Sequence, residues 1–132
     1  MFHFLFFILF VYFSVALNAQ NCSSDQIIAV KTCYLTYLKG YGFDVIPIYN
    51  YYDNAEDKYR VRGWNGEVYI CNAGTKLIQC IGLNNDGCVN VDTMKQISGL
   101  TDDSPIQYVI DYRSMKYKCF GQGFTGNKKV ME

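Results

Sequence analysis

The chain has 132 residues, twelve Lys and Arg balanced by twelve Asp and Glu, six cysteines and a single histidine. That length fits one domain. Zero formal charge argues against a nucleic-acid binder and against a cationic membrane-disrupting peptide, since both need a basic field.

Residues 1–19 read MFHFLFFILFVYFSVALNA and contain no Asp, Glu, Lys or Arg. The apolar run from Phe4 to Val15 has the length of a signal-peptide core and is short for a bilayer span. The small residues that follow predict cleavage after Ala19, with Ala16 as the alternative. The expected organisation is a signal peptide over 1–19, a disulfide-rich helical domain over 20–124 and a flexible tail over 125–132. The mature chain then has no membrane span and is secreted to the extracellular space. Cleavage removes His3, the one histidine, while all charges and all six cysteines stay. Cys22, Cys33, Cys71, Cys80, Cys88 and Cys119 are an even set in a short secreted chain, which reads as three disulfides. Asn21-Cys22-Ser23 is a sequon, so Asn21 is a candidate glycan acceptor.

In chain order, Ser23 to Gln26 spells a capping box. Ile27, Val30, Cys33, Tyr34, Tyr37 and Leu38 then follow the helical period, and Gly40 and Gly42 stop it. This predicts a helix over about 24–39. Asp53-Asn54-Ala55-Glu56 fits the cap of a helix running to Arg62. Residues 67–81 fit another, with Val68, Cys71, Thr75 and Ile78 in line. The competing reading there is a hairpin near residues 58–71 with Asn65-Gly66 in its turn. A short helix is expected from Asp92 to before Gly99. Ser104-Pro105-Ile106-Gln107 reads as a second capping box opening a helix to about Cys119. Val109, Tyr112, Lys116 and Cys119 share one side of it, and Ile106, Ile110, Arg113 and Tyr117 the neighbouring one. The fold class is thus mainly α: a small disulfide-linked domain of four to five short helices, with α+β as the alternative.

Cysteine spacing restricts the bridges. Cys22 and Cys33 sit at one helix, about 16 Å apart at 1.5 Å per residue, too far to bridge. Cys71 and Cys80 are about 13 Å apart if helical. The near-equal spans predict two helices side by side, with Cys22 and Cys33 bonded to Cys71 and Cys80 in one order or the other. Cys88 is then left to Cys119.

A mature chain without histidine has no Ser-His-Asp or Cys-His nucleophile system and no His-ligated zinc. No cofactor and no metal site is expected. Asn84-Asn85-Asp86-Gly87 lacks the length and distal Glu of a calcium loop and reads as a turn. Paired carboxylates are the remaining catalytic option, from Asp102, Asp103 and Asp111, although acidic residues at a helix start ordinarily serve capping and the helix dipole. Glu56 fits a cap, which leaves little for a two-carboxylate glycosidase. Tyr49, Tyr52 and Trp64 are the candidates for a binding surface, because Tyr and Trp bury large area at low entropy cost. The competing reading has these rings filling the core beside the disulfides.

Cys22 and Cys33 framing a helix, then Leu77-Ile78-Gln79-Cys80-Ile81 and Cys88, then Tyr108-Val109-Ile110-Asp111-Tyr112 and Tyr117-Lys118-Cys119, form an ordered set. In this order the segment from Cys22 to Phe124 resembles the nematode-expanded family of secreted cysteine-rich domains labelled domain of unknown function number nineteen. The resemblance implies a helical, disulfide-bonded, extracellular domain and carries over no catalytic residues. The functional expectation is a non-enzymatic binding or interaction module for an extracellular protein, glycan or small ligand. A carrier of a small apolar ligand and a carboxylate-based hydrolase are the alternatives.

Overall fold

The computed structural model describes residues 21–120. The expected signal peptide, its cleavage site and the tail over 125–132 lie outside these residues. Among the described residues there are five α-helices and no strand, so the mainly α reading holds and the hairpin does not form.

Helix α1 spans Ser24–Lys39. The predicted capping box is present: the Gln26 N–H donates to Ser23 Oγ at 3.3 Å, and the Ser23 N–H donates to Gln26 Oε1 at 3.0 Å. Helix α2 spans Tyr49–Arg60, four residues earlier than the expected start at Asp53. Asp53 and Glu56 are therefore interior residues of α2 and not its cap. Gly63, at φ 61°, turns the chain into α3, Trp64–Asn85. Asn65 and Gly66, expected as a possible hairpin turn, lie in the first turn of α3. Gly82, at φ 67°, kinks α3 near its end. A 3-10 turn over Asp86–Cys88 leads to α4, Val91–Ser98, capped by the Asn90 side chain and closed by left-handed Gly99. Helix α5 spans Ser104–Met115 and continues as a π turn over Lys116–Phe120.

The second predicted capping box does not form. Asp103 is the N-cap of α5 and Ser104 is already helical. Ser104 is buried, and its Oγ accepts the Tyr49 N–H at 2.9 Å. It thus caps the neighbouring helix α2, whose own N-cap, Ile48, has no side-chain acceptor.

Helices α1 and α3 run antiparallel. Gln26 Nε2 donates to the Asn84 carbonyl at one end, and the Tyr69 hydroxyl donates to the Gly40 carbonyl at the other. Helix α5 packs on α4 and α2, and its π turn packs on α3. Between them lies a core built on tyrosine: Tyr34, Tyr37, Tyr52, Tyr108 and Tyr112 are buried with Val30, Leu38, Leu77, Ile81 and Met94. The rings meet mostly edge to face, as at Tyr34–Tyr108 and Tyr49–Tyr108, the geometry that the ring quadrupole favours.

The bridges are Cys22–Cys88, Cys33–Cys80 and Cys71–Cys119. Only Cys33–Cys80 fits the expected cross-linking of two helices. The pairing of Cys88 with Cys119 is wrong, and so is any bond from Cys22 to Cys71 or Cys80. Helix direction and length explain the difference. With Cys33 opposite Cys80 in antiparallel helices, Cys22 projects past the end of α3 and meets Cys88 on the 3-10 turn. Cys71 lies about 13 Å back along α3. It faces the π turn after α5, where Cys119 waits. The three bridges tie α1 to α3, the start of α1 to the turn before α4, and α3 to the end of α5.

Candidate functional site

The centre of the molecule holds charge. Glu56, on α2, is only 3% exposed. It lies four residues after Tyr52 and four before Arg60, so all three share one face of the helix. Arg60 gathers the acids of α2: its guanidinium pairs with Glu56, with Asp53 at 2.9 Å and with Asp57 at 2.5 Å. A buried carboxylate needs such a partner, because desolvation of an unpaired one is prohibitive.

The other oxygen of Glu56 meets the Tyr52 hydroxyl at 2.8 Å. The same hydroxyl lies 3.2 Å from Asp111 Oδ2 on α5 and 2.7 Å from the Tyr37 hydroxyl on α1. Tyr52 thus links three helices through one oxygen. A phenol carries one proton and two lone pairs. If Tyr52 donates to Glu56, an ionised Asp111 faces a lone pair; a protonated Asp111 donates into it instead. Burial and the nearby Glu56 raise the Asp111 carboxyl to about 6, against the opposing pull of the Tyr52 and Tyr49 hydroxyls and Arg60. Burial also pushes the Tyr37 and Tyr52 phenols well above their ordinary range, so both remain protonated donors.

Outside this network lies a cleft of about 520 Å³ between the N-terminal ends of α2 and α5. Ile48, Tyr49, Asn50 and Asp53 line one wall, and Asp102, Asp103, Ser104 and Gln107 the other. The bond from the Tyr49 N–H to Ser104 Oγ clamps the two walls together. Asp102 Oδ1 accepts the Ser104 N–H at 3.0 Å and completes the turn into α5. Asp53 is ion-paired with Arg60, whereas Asp102 and Asp103 form no ion pair among the described residues. Among the described residues no Lys or Arg lines the cleft. Its character is therefore acidic, with Tyr49 and Ile48 as apolar surface.

The structure separates the residues singled out in the sequence. Tyr49 is half-buried and lines the cleft. Tyr52 is fully buried and is not a surface residue; its ring fills the core and its hydroxyl serves the network. Trp64 is half-buried at the start of α3 and takes no part in the cleft. The three candidates do not form one surface. Tyr51, not singled out, is the exposed ring of this stretch at 62%. Asn21 is exposed, next to the Cys22–Cys88 bridge. Asp102 and Asp103 face the cleft, and Asp111 lies behind it beside Glu56. The role of Glu56 was missed because its nearness to Asp53 suggested a cap; the i, i+4 run Tyr52–Glu56–Arg60 was the available signal.

Asp86 occupies the turn expected at 84–87. Its carboxylate takes the Tyr112 hydroxyl at 2.9 Å, Arg113 at 2.8 Å and Lys116 at 2.7 Å. Burial alone would raise this carboxyl, but the bonds from Lys116, Arg113 and Tyr112 outweigh it and hold it at about 2. Asp86 is thus a structural anchor for α5. Among the described residues no three His, Cys, Asp or Glu side chains converge as a metal site. In comparison with known proteins the chain matches no family, no curated protein and no solved structure.

Proposed function

We propose that this protein is a secreted, non-enzymatic binding module whose α2–α5 cleft takes a cationic ligand, such as a basic peptide segment or an amine. The observation that carries the reading is the pair Asp102 and Asp103, which form no ion pair among the described residues, at a cleft that none of the described cationic side chains lines. Tyr49 and Ile48 offer apolar contact beside them, the mix of features that ordinary ligand sites show. The three disulfides, and the lack among the described residues of any helix long and apolar enough to cross a membrane, are compatible with an extracellular location. The resemblance to the nematode-expanded secreted family supports the same compartment.

The test is secretion of the full chain from eukaryotic cells, followed by calorimetric titration. Native mass spectrometry should report a mature chain beginning after Ala19 or Ala16, with a glycan at Asn21. A short Lys/Arg peptide should bind, and binding should weaken as salt rises. The double variant D102N/D103N should lose about tenfold in affinity, the equivalent of 1.4 kcal/mol. Equal affinity for a Glu/Asp peptide, or no binding of either peptide, would overturn the reading.

A second reading, a carboxylate-based hydrolase, draws on Asp111 and Glu56. A carboxyl raised to about 6 beside a second carboxylate has the form of an acid–base pair. Neither residue lines the cleft, and Tyr49 and Tyr52 stand against Asp111. The binding reading therefore stands first.

A further inference from the structure

The antiparallel pair α1 and α3 encloses a groove of about 480 Å³ on the surface. Small residues make the space: Ala73 sits at its middle, and Gly40 and Thr36 border it on α1. Buried Tyr37 and Leu77 lie beneath. One end is closed by the Cys33–Cys80 bridge, and the other by the hydrogen bond from Tyr69 to Gly40. From Tyr69 to Cys80 the α3 wall is about 16 Å long at 1.5 Å per residue.

We infer that this groove is a binding site for a small amphiphilic carboxylate, a molecule with a slender apolar body and one anionic head. Two observations select that occupant. Cross-links bound the groove at both ends, Cys33–Cys80 and Tyr69–Gly40, and set its length to that of a short molecule. Among the described residues the lining contains one charged side chain, Lys76, and no carboxylate. Lys76 is exposed and joins no ion pair among the described residues. It stands one helical turn before Cys80, which places the anionic head at the disulfide end. Tyr37, Ala73 and Leu77 then receive the body, and Tyr69 stands at the far end. Apolar walls with few, well-placed polar groups are the ordinary composition of a small-molecule site. This site is independent of the acidic cleft, whose charge preference is the opposite, and it survives if the cleft takes no ligand.

The experiment is a titration of the disulfide-intact, uniformly labelled full-length secreted protein with sodium decanoate, followed by amide NMR shifts. Saturable shifts are expected at Asn72, Ala73, Lys76 and Leu77, within a range extending to about 5 mM. Decyltrimethylammonium should produce none of them. Ala73→Leu fills the groove from a half-exposed position and should abolish the shifts while keeping a dispersed spectrum. Lys76→Gln is an exposed change that leaves the fold alone and should weaken decanoate about fivefold, the scale of a partly exposed ion pair. Lys76→Arg should restore it. The proposal fails if decanoate gives no saturable shifts at these residues, or if they persist in a folded Ala73→Leu protein. It also fails if decan-1-ol or decyltrimethylammonium binds as tightly as decanoate.

Discussion

Substitution of Asp111 by Asn tests the reading of the buried network. In the folded protein the Asp111 carboxyl titrates at about 6, against an ordinary value of 3.8. Between those values the native state holds a proton that the unfolded chain has released. Stability must then fall as pH rises through this window and remain lower above it. The difference corresponds to at most about 3 kcal/mol, and to about 2 kcal/mol once the partial exposure of Asp111 is allowed for. Asp86 works in the opposite direction: its carboxyl is held at about 2, so its contribution is present above 3.8 and is lost only as pH falls toward 2. Of these two carboxyls, only Asp111 contributes a pH dependence of stability between about 4 and 6. The amide of D111N has the shape of the protonated acid and can donate to the Tyr52 oxygen without carrying charge beside Glu56. Urea unfolding of the oxidised protein, followed by circular dichroism, provides the assay. At about pH 4.5, where the native state holds the proton and the unfolded chain has largely released it, D111N should already be more stable than the parent by about a third of the full difference; at about pH 7.5 it should be more stable by about 2 kcal/mol. A parent protein that gains stability from pH 4.5 to 7.5, or a D111N protein weaker than its parent at both, would refute the proton count at Tyr52.

Two glycines should respond differently to Ala. A Cβ on Gly66 would lie 1.7 Å from the Tyr59 carbonyl oxygen, at the junction of α2 and α3, where only backbone movement gives relief. Gly66→Ala should cost about 3 kcal/mol in thermal or urea unfolding. A Cβ on Gly74 would lie 2.1 Å from Met115 Sδ, which belongs to a flexible side chain. Gly74→Ala should cost about 1 kcal/mol net, since Ala is the better helix former; the reverse order would contradict the packing described. Replacing Cys22 and Cys88 together by Ser opens a bridge spanning 66 residues. By the chain-entropy relation this costs about 4 kcal/mol, and unchanged stability would argue against this connectivity.

Much of the secondary structure was legible because its signals are local. The Ser23–Gln26 box and the apolar period after it located α1 within a residue, and Gly99 ended α4 where expected. The two sides read on α5 differ in burial: Tyr112 and Val109 turn inward, while Ile106, Ile110 and Tyr117 remain exposed; Tyr108 and Met115, placed on neither side, are buried as well. The start of α2 was missed because its cap comes from Ser104, 55 residues away in sequence. The same contact explains the failed capping box at Ser104, whose hydroxyl was already engaged. No local pattern carries that information.

The candidate site was less legible. Tyr49 reached a cleft, but Tyr52 lies inside because its hydroxyl finds partners on both α1 and α5. A tyrosine can be buried or exposed at similar cost when such partners exist, and the partners come from distant helices.

The sequence by itself determined the helical class, the helix that opens the domain and the set of six cysteines. These follow from propensity, capping and count, which act within a few residues. The tertiary structure alone decided how the cysteines pair and where the charges go. Bridging depends on which side chains come within a few ångströms once α1 and α3 run antiparallel, and burial of Glu56 and Asp111 depends on one hydroxyl between three helices. Both are properties of packing between distant segments, to which local periodicity is blind.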